Sequence, residues 1–214
     1  MNKDLVLYYS LRAKEYELPY ANVEWQNNLQ SISENIQMVF KGKTVLELAC
    51  GTGYWTEKIS KTAKIVHAID INENVIDIAS KKIYKNSEVK FTVADLFQYN
   101  TLQKYDCLFG GFIWSHVPLQ NLNTFIYRIS RFVKPGGIIV FVDTNYVTHY
   151  NRPICLKDYA GNTFQRRELK DGSKHLILKN FPSDEFLRQK LSLISNKIDT
   201  LNLTYVWMLN CLNN

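Results

Sequence analysis

The feature that most constrains this chain is an alternation of short apolar segments with amphipathic ones between Lys43 and Asp143. Helical patterns separate most of the apolar segments, and strands that alternate with helices in this way form a parallel sheet covered by helices. Ligands of such sheets bind beyond the carboxyl ends of the strands. The alternation therefore predicts a ligand site at one edge of an α/β sheet, whose predicted strands are 45–48, 65–69, 89–94, 105–109 and 138–143.

The segments on either side of this core complete a single predicted domain. The first forty residues have the pattern of two helices: an amphipathic stretch through Tyr16 that Pro19 ends, and an apolar face from Trp25 onwards. An Asp-Gly pair at 171–172 predicts the turn of a β-hairpin over residues 162–179. The predicted parts are lid helices (1–42), a cofactor-binding core (43–143), a β-hairpin insertion (144–182), and a last helix with two antiparallel strands (183–214).

Composition excludes several classes of protein. With 46% hydrophobic and 21% charged residues among 214, the chain is neither disordered, nor collagenous, nor a coiled coil. The net charge of +6 permits contact with nucleic acid or an anionic substrate, but like charges never run beyond two residues, so most are surface charges. The longest apolar run is too short for a membrane span, and charge appears too early in Met1–Leu5 for a signal peptide. We therefore expect a cytoplasmic protein.

Four cysteines stand far apart in the sequence, at positions 50, 107, 155 and 211. They form no pair or cluster with the spacing of a zinc site, so we predict no metal centre. Cysteine is among the residue types most often buried. We therefore expect all four to be free, buried side chains.

The sharpest local signal is the segment Glu47–Gly53, which directly follows the first predicted strand. Its glycines at 51 and 53 let the backbone pass close to a ligand where a Cβ atom would block it. A dinucleotide fingerprint would have a third glycine where this chain has Thr56. Glu47 would also repel a pyrophosphate at the helix N-terminus. The pattern disfavours a nicotinamide-dependent oxidoreductase and suits a cofactor with a positively charged amino-acid end.

These motifs occur in an order that resembles the class I S-adenosylmethionine-dependent methyltransferases. Glu47–Gly53 matches the first motif of that family, and Asp70 matches its acidic residue for the ribose hydroxyls. Residues 94–96 match the segment that reads the adenine ring, and residues 134–137 match the turn before the fifth strand. The resemblance covers residues 43–143 and the end of the chain. It implies a Rossmann-like, doubly wound, seven-stranded sheet, mostly parallel with an antiparallel last strand and helices on both faces.

The same resemblance implies S-adenosylmethionine as cofactor, with S-adenosylhomocysteine as product, and assigns its binding residues. Arg12 and Tyr16 belong to a segment similar to a lid helix, although a surface arginine and a packing tyrosine would fit equally well. Asp70 could instead cap a helix, and Asp95 could be an ordinary loop residue. Trp55 and Phe112 could instead be core aromatic residues. The predicted cofactor-binding residues are Arg12, Tyr16, Glu47, Ala49, Cys50, Gly51, Gly53, Trp55, Asp70, Ile71, Asp95, Leu96 and Phe112.

His116, which follows the fourth predicted strand, is the candidate catalytic residue. A histidine there could remove a proton from a substrate hydroxyl or amine at neutral pH, or it could have a structural role. Methyl transfer is an in-line displacement, so the protein mainly aligns the reacting atoms.

The acceptor is predicted to be a small molecule, aromatic or amphipathic. Relatives that methylate amino groups of nucleic acids carry an Asn/Asp-Pro-Pro-aromatic motif after the fourth strand, whereas residues 110–113 of this chain are Gly-Gly-Phe-Ile. Enzymes that methylate a cytosine carbon use a Pro-Cys nucleophile, and no proline of this chain precedes a cysteine. Arg166, Arg167 and Lys174 on the hairpin either meet an anionic group or are solvated. The alternatives are an RNA or protein methyltransferase and a catalytically silent cofactor-binding protein; either way we expect a monomer or homodimer.

Overall fold

The computed structural model of the protein describes residues 3–214. Met1 and Asn2, part of the segment on which the signal-peptide expectation depends, lie outside the described residues. The helices are α1 (Lys3–Leu11), α2 (Val23–Phe40), α3 (Tyr54–Ile59), α4 (Glu73–Ser80), α5 (Leu122–Ser130) and α6 (Asp184–Leu191). The strands are β1 (Thr44–Leu48), β2 (Ile65–Asp70), β3 (Glu88–Val93), β4 (Tyr105–Gly111), β5 (Val133–Thr144), β6 (Ile154–Lys157), β7 (Thr163–Glu168), β8 (Lys174–Leu178), β9 (Ile198–Asn202) and β10 (Val206–Leu212).

Seven of these strands form the main sheet, in the order β3-β2-β1-β4-β5-β10-β9. The first five are parallel, and β10 runs antiparallel to both of its neighbours. The predicted fold class, including the antiparallel last strand, is therefore confirmed. The order of the sheet reverses between β1 and β4, which is the place where open α/β sheets bind their ligands.

The core has two apolar clusters, one on each face of the sheet. Val45 and Leu46 are neighbours on β1 yet belong to different clusters, because successive side chains of a strand point to opposite faces. One cluster includes the apolar face of α2, which the sequence predicted from its helical spacing, together with α3. The other includes the buried residues of α5 and α6. Among residues 3–214, no helix is both long and apolar enough to cross a lipid bilayer.

A second sheet of three antiparallel strands, β6-β7-β8, contains the predicted hairpin. Its third strand, β6, was not predicted, because all four of its side chains are exposed and show no apolar alternation. Cys155 lies on this strand and is exposed, so the expectation that it is buried was wrong; Cys50, Cys107 and Cys211 are buried and free as expected. Helix α1 packs on this sheet through Leu5 and Tyr8, which contact Ile177.

Two boundaries differ from the sequence prediction. The first helix ends at Leu11 rather than continuing to Tyr16, and short 3-10 turns follow at Ala13–Glu15 and Leu18–Ala21. Contacts of Tyr16 and Glu17 with the glycine loop hold this segment away from a helical path, which shows tertiary structure overriding helix propensity. The predicted turn at 134–137 is instead an irregularity inside β5, between the residues that pair with Tyr105 and Cys107.

Candidate active site

A cavity of about 580 Å³ lies at the carboxyl ends of the strands, at the predicted edge of the sheet. Its volume falls in the range of small-molecule sites, roughly 300–1,000 Å³. The wall is built by the loops that follow β1 to β5, by the segment from α1 to the start of α2, and by the second sheet. The N-terminal segment and the second sheet therefore enclose a site whose base is the main sheet.

One end of the cavity is formed by residues that follow β2 and β3. Asp70 is only 7% exposed, and its two carboxylate oxygens accept the backbone N–H groups of Gly51 and Asn72, both at 2.9 Å. Burial raises the pKa of Asp70, although these two hydrogen bonds oppose the shift. Asp70 thus supports the glycine loop and the turn before α4 while still lining the cavity. Ala49, Ile71, Asn72, Ala94 and Leu96 line the same end.

The glycine loop is held in a conformation that explains its composition. Gly51 has a φ of +55°, and a Cβ atom there would lie 2.6 Å from the ring of Tyr16. Ala49 and Phe112, at the ends of β1 and β4, also have left-handed backbones, with φ of +50° and +58°. Non-glycine residues in this region store backbone strain, and such strain tends to cluster at functional sites. Nothing in the sequence indicated either strained position.

The N-terminal segment after α1 lines this end of the cavity, and its role as a lid stays a prediction. Arg12 and Tyr16 both line the cavity, although they flank the 3-10 turn at Ala13–Glu15 and do not share one helix. Glu17 accepts a hydrogen bond from Thr52 at 2.7 Å and pairs with Lys82 at 2.5 Å. These contacts anchor the lid to the glycine loop and to the residues after α4.

Six of the predicted cofactor-binding residues do not line the cavity. Glu47 is 1% exposed and accepts a 2.6 Å hydrogen bond from Thr56; burial raises the pKa of Glu47 to about 8. The Asp95 carboxylate accepts the N–H of Phe97, and Trp55 packs against Gly111. Their contact with a cofactor stays a prediction. The wall is lined by Arg12, Tyr16, Ala49, Asp70, Ile71, Leu96, Phe112 and His116, and not by Glu47, Cys50, Gly51, Gly53, Trp55 or Asp95.

His116 lines the other end of the cavity, where both of its ring nitrogens have partners. Nδ1 lies 2.6 Å from the carbonyl oxygen of Leu178, which can only accept, so Nδ1 carries the proton. Nε2 therefore accepts from the hydroxyl of Tyr9 at 2.9 Å. Burial, and then the positive charges of Lys179 and Arg167, lower the pKa of His116. The ring is thus neutral at pH 7, and its role as a general base stays a prediction.

A buried ion pair stands behind His116. The Nζ atom of Lys179 lies 2.8 Å from a carboxylate oxygen of Asp143 and donates to the hydroxyl of Ser115 at 2.7 Å. The second carboxylate oxygen of Asp143 accepts the N–H of Ser115. This network joins the end of β5, the turn that carries His116, and the end of β8. It fixes the second sheet against the main sheet.

Sequence reasoning missed several residues at this end of the cavity. Tyr9, Gln165 and Lys179 line it, but none was singled out, because all three lie outside the motifs at the ends of the predicted strands. Of the three hairpin cations, only Arg167 reaches the cavity, whereas Arg166 and Lys174 are exposed. The usable signal was strand alternation, because Gln165 and Arg167 are two apart on β7 and share one face.

The buried, neutral state of His116 predicts a stability that falls in acid. Below its ordinary pKa of 6.5, the unfolded chain binds a proton that the folded chain does not, so the unfolded state is favoured as the pH falls. We expect His116→Gln to remove about 2 kcal/mol of acid destabilisation between pH 7 and pH 5, measured by urea unfolding. His149→Gln, at an exposed position, serves as the control. Equal pH dependence in wild type and His116→Gln would contradict this prediction.

Comparison with known proteins shows which families this chain resembles. A family model described as a methyltransferase domain matches residues 45–137. Malonyl-[acyl-carrier protein] O-methyltransferase 2 of Ilyobacter polytropus is 29% identical over 174 residues, which cover 76% of this chain and 64% of the relative. A demethylmenaquinone methyltransferase of Staphylococcus aureus (strain MRSA252) is 31% identical over 129 residues, which cover 57% and 50%. The chain thus spans between half and two thirds of the length of these curated relatives.

Solved structures match over nearly the whole chain. The DhpI–SAH complex superposes with a TM-score of 0.80 at 28% identity, covering 99% of this chain and 96% of the other. The DhpI–SAM–HEP complex gives a TM-score of 0.78 at 26% identity, covering 97% and 96%. Residues 45–137 thus match a methyltransferase domain, and the whole chain shares the fold of the DhpI complexes with SAH and SAM. The sheet order and the motif at the end of β1 agree with this resemblance to the class I S-adenosylmethionine-dependent methyltransferases.

Proposed function

We propose that this chain binds S-adenosylmethionine and transfers its methyl group to a small-molecule acceptor. The observation that carries the proposal is the single cavity that joins Asp70 and the wall of the glycine loop to the Tyr9–His116 pair. The similarity to DhpI, solved with SAH and with SAM, supports the cofactor. The relatives named as methyltransferases of malonyl-[acyl-carrier protein] and demethylmenaquinone support the reaction.

The residues at the end of the cavity near β2 and β3 fit such a cofactor. Asp70 has carboxylate oxygens that can accept further hydrogen bonds from ribose hydroxyls, while Ala94 and Leu96 offer apolar surface to an adenine ring. Arg12 and Tyr16 of the lid are proposed to close over the amino-acid end. The sulfonium of the bound cofactor supplies an already activated methyl group. The task left to the protein is to position the acceptor and exclude water, and positioning alone can contribute roughly 7–11 kcal/mol.

A small acceptor fits the enclosure of the site better than RNA or a protein segment does. Helix α1 packs on β8, and Glu17 in the segment after α1 accepts a hydrogen bond from Thr52 of the glycine loop. The N-terminal segment and the second sheet therefore cover the acceptor end of the cavity. A long polymer would need these contacts to open.

Turnover with labelled cofactor tests the acceptor class. We would incubate the protein with methyl-labelled S-adenosylmethionine and, separately, ultrafiltered metabolites, total RNA or proteins, with Asp70→Ala as the blank. We expect label to enter the metabolite fraction alone. Transfer to RNA or protein would overturn the proposal in favour of a macromolecular substrate. Cofactor binding without transfer to any pool would indicate a catalytically silent cofactor-binding protein.

A further inference from the structure

The charges that line the cavity are unbalanced. Five cationic side chains line the wall, against three acidic ones at Glu15, Asp70 and Glu168. Two of the cations are neutralised by ion pairs, Lys170 with Glu15 and Lys179 with Asp143. Among residues 3–214, no carboxylate lies within ion-pair distance of the other three, which are Arg12, Arg152 and Arg167. The cavity therefore presents uncompensated positive charge.

Arg167 is the most enclosed of these three. Its Nε atom is inaccessible to solvent and has no hydrogen-bond partner among the described residues. Its Nη1 donates to the Tyr9 hydroxyl at 3.4 Å, its Nη2 donates to the side-chain oxygen of Gln165 at 3.2 Å, and its guanidinium carbon lies 5.6 Å from the centre of the Tyr8 ring. A charged group removed from water is costly unless a partner of opposite charge compensates it. The planar donor fork of arginine matches a carboxylate or a phosphate-type oxyanion.

The position of Arg167 places it on the acceptor side of the cavity. The order of the main sheet puts β2 and β3, which carry Asp70 and Ala94 at their ends, on one side of β1, and β4 and β5 on the other. Arg167 contacts Tyr9, and Tyr9 contacts His116 after β4. The second sheet is tied to the same turn, because the backbone N–H of Asn180 donates to the carbonyl of Ser115 at 2.9 Å. Arg167 thus faces the end opposite the nucleoside-binding residues.

We infer that the methyl acceptor is a small organic oxyanion and that Arg167 binds its charged group. The inference rests on the proposed function and names the acceptor class of the same site. The hydrogen-bonded row from Arg167 through Tyr9 to His116 holds the guanidinium against the acceptor. Carboxylates, phosphonates and sulfonates share this chemistry. Because such groups are already deprotonated at neutral pH, an acceptor oxygen among them needs no base, which agrees with the lowered pKa of His116.

The neighbouring residue provides a matched control for the test. Arg166 and Arg167 are adjacent on β7, so they point to opposite faces; Arg166 is exposed, whereas Arg167 lines the cavity. We would record the Nε–H resonances of protein labelled with ¹⁵N-arginine, with and without S-adenosylhomocysteine. The signal of Arg167 is the one that disappears in Arg167→Lys. Butanoate, propylphosphonate and propanesulfonate are titrated separately, with neutral butanamide as the control probe.

We expect at least one anion to shift the Arg167 signal saturably and at least tenfold more tightly than butanamide does. The affinity should fall at least fivefold in Arg167→Lys and stay within twofold in Arg166→Lys. The preferred probe identifies the kind of oxyanion. Two results together would overturn the inference: Arg167→Lys loses affinity for S-adenosylhomocysteine, and the anions compete with S-adenosylhomocysteine for binding. They would show that Arg167 binds the carboxylate of the cofactor.

The failure of the inference and that of the proposed function give different results. If wild-type protein binds S-adenosylhomocysteine but no anion moves the Arg167 signal, the oxyanion inference is wrong and the proposed function stands. If S-adenosylhomocysteine does not bind, the proposed function is wrong. In that case, the anion titrations in the absence of S-adenosylhomocysteine show whether Arg167 binds anions, by the same differences in affinity between probes and variants.

Discussion

Replacing Lys179 by methionine is expected to lower the free energy of unfolding by about 3–5 kcal/mol. The Asp143 side chain is 0% exposed, and Lys179 is its only ion-pair partner among the described residues. Burial alone would raise the pKa of Asp143, but the positive charge of Lys179 and the hydrogen bonds from Lys179 and Ser115 act together to hold the pKa below its ordinary value. Removing the lysine leaves a charged carboxylate in the interior without compensation.

Urea unfolding of matched variants measures this effect. Lys174→Met is the control, because Lys174 is exposed on the same hairpin and lies 3.9 Å from Glu168; its effect should stay within about 0.5 kcal/mol. The double variant Asp143→Asn/Lys179→Met should recover part of the lost stability, since it removes both charges. A Lys179→Met protein within about 1 kcal/mol of wild type would show that the pair contributes little.

The substitution Asp70→Ala is expected to weaken the binding of S-adenosylhomocysteine by at least tenfold. Asp70 lines the cavity at the end of β2, and loss of hydrogen bonds to a charged acceptor costs about 1.5–3 kcal/mol, or one to two orders of magnitude in affinity. Calorimetric titration measures the change. Asp77→Ala, at an exposed position on the following helix, should bind as wild type does.

Thermal unfolding separates this effect from a collapse of the loop. Asp70 also accepts the N–H groups of Gly51 and Asn72, so some loss of stability is expected in Asp70→Ala. If the folded variant binds the ligand with unchanged affinity, the ribose role of Asp70 is wrong. In that case Asp70 serves the loop alone, which was the helix-cap alternative considered from the sequence.

The fold was predictable because its signals are local and repeated. In the sequence, predicted apolar strands of four to six residues alternate with helical patterns, and the short connection before Val206 forces an antiparallel pair. What could not be predicted depends on contacts distant in sequence. The first helix ends at Leu11, and the segment after it is held by contacts such as the hydrogen bond between Glu17 and Thr52. Strand β6 could not be recognised in the sequence, because its four side chains are all exposed. Propensity alone carries neither kind of information.

The candidate site was predicted in more detail at its cofactor end than at its acceptor end, where the sequence singled out only His116 and a set of hairpin cations that includes Arg167. Gly51 and Gly53 after β1 and Asp70 at the end of β2 indicate the cofactor end. Glycine lets the backbone approach a ligand closely, and an acidic residue at the end of β2 can accept hydrogen bonds from ribose hydroxyls. The acceptor end brings together Tyr9, His116, Arg167 and Lys179 from four separate segments. Arg167 could be separated from Arg166 only once the register of β7 was known. No local pattern links these positions.

The most direct test of the central claim is calorimetric titration of the wild-type protein with S-adenosylhomocysteine, with NADH as the competing candidate. The match of residues 45–137 to a methyltransferase domain, together with the Asp70 end of the cavity, predicts binding of S-adenosylhomocysteine with a dissociation constant in the micromolar range and no measurable binding of NADH. A folded protein that binds neither ligand, or that prefers NADH, would contradict the proposed function.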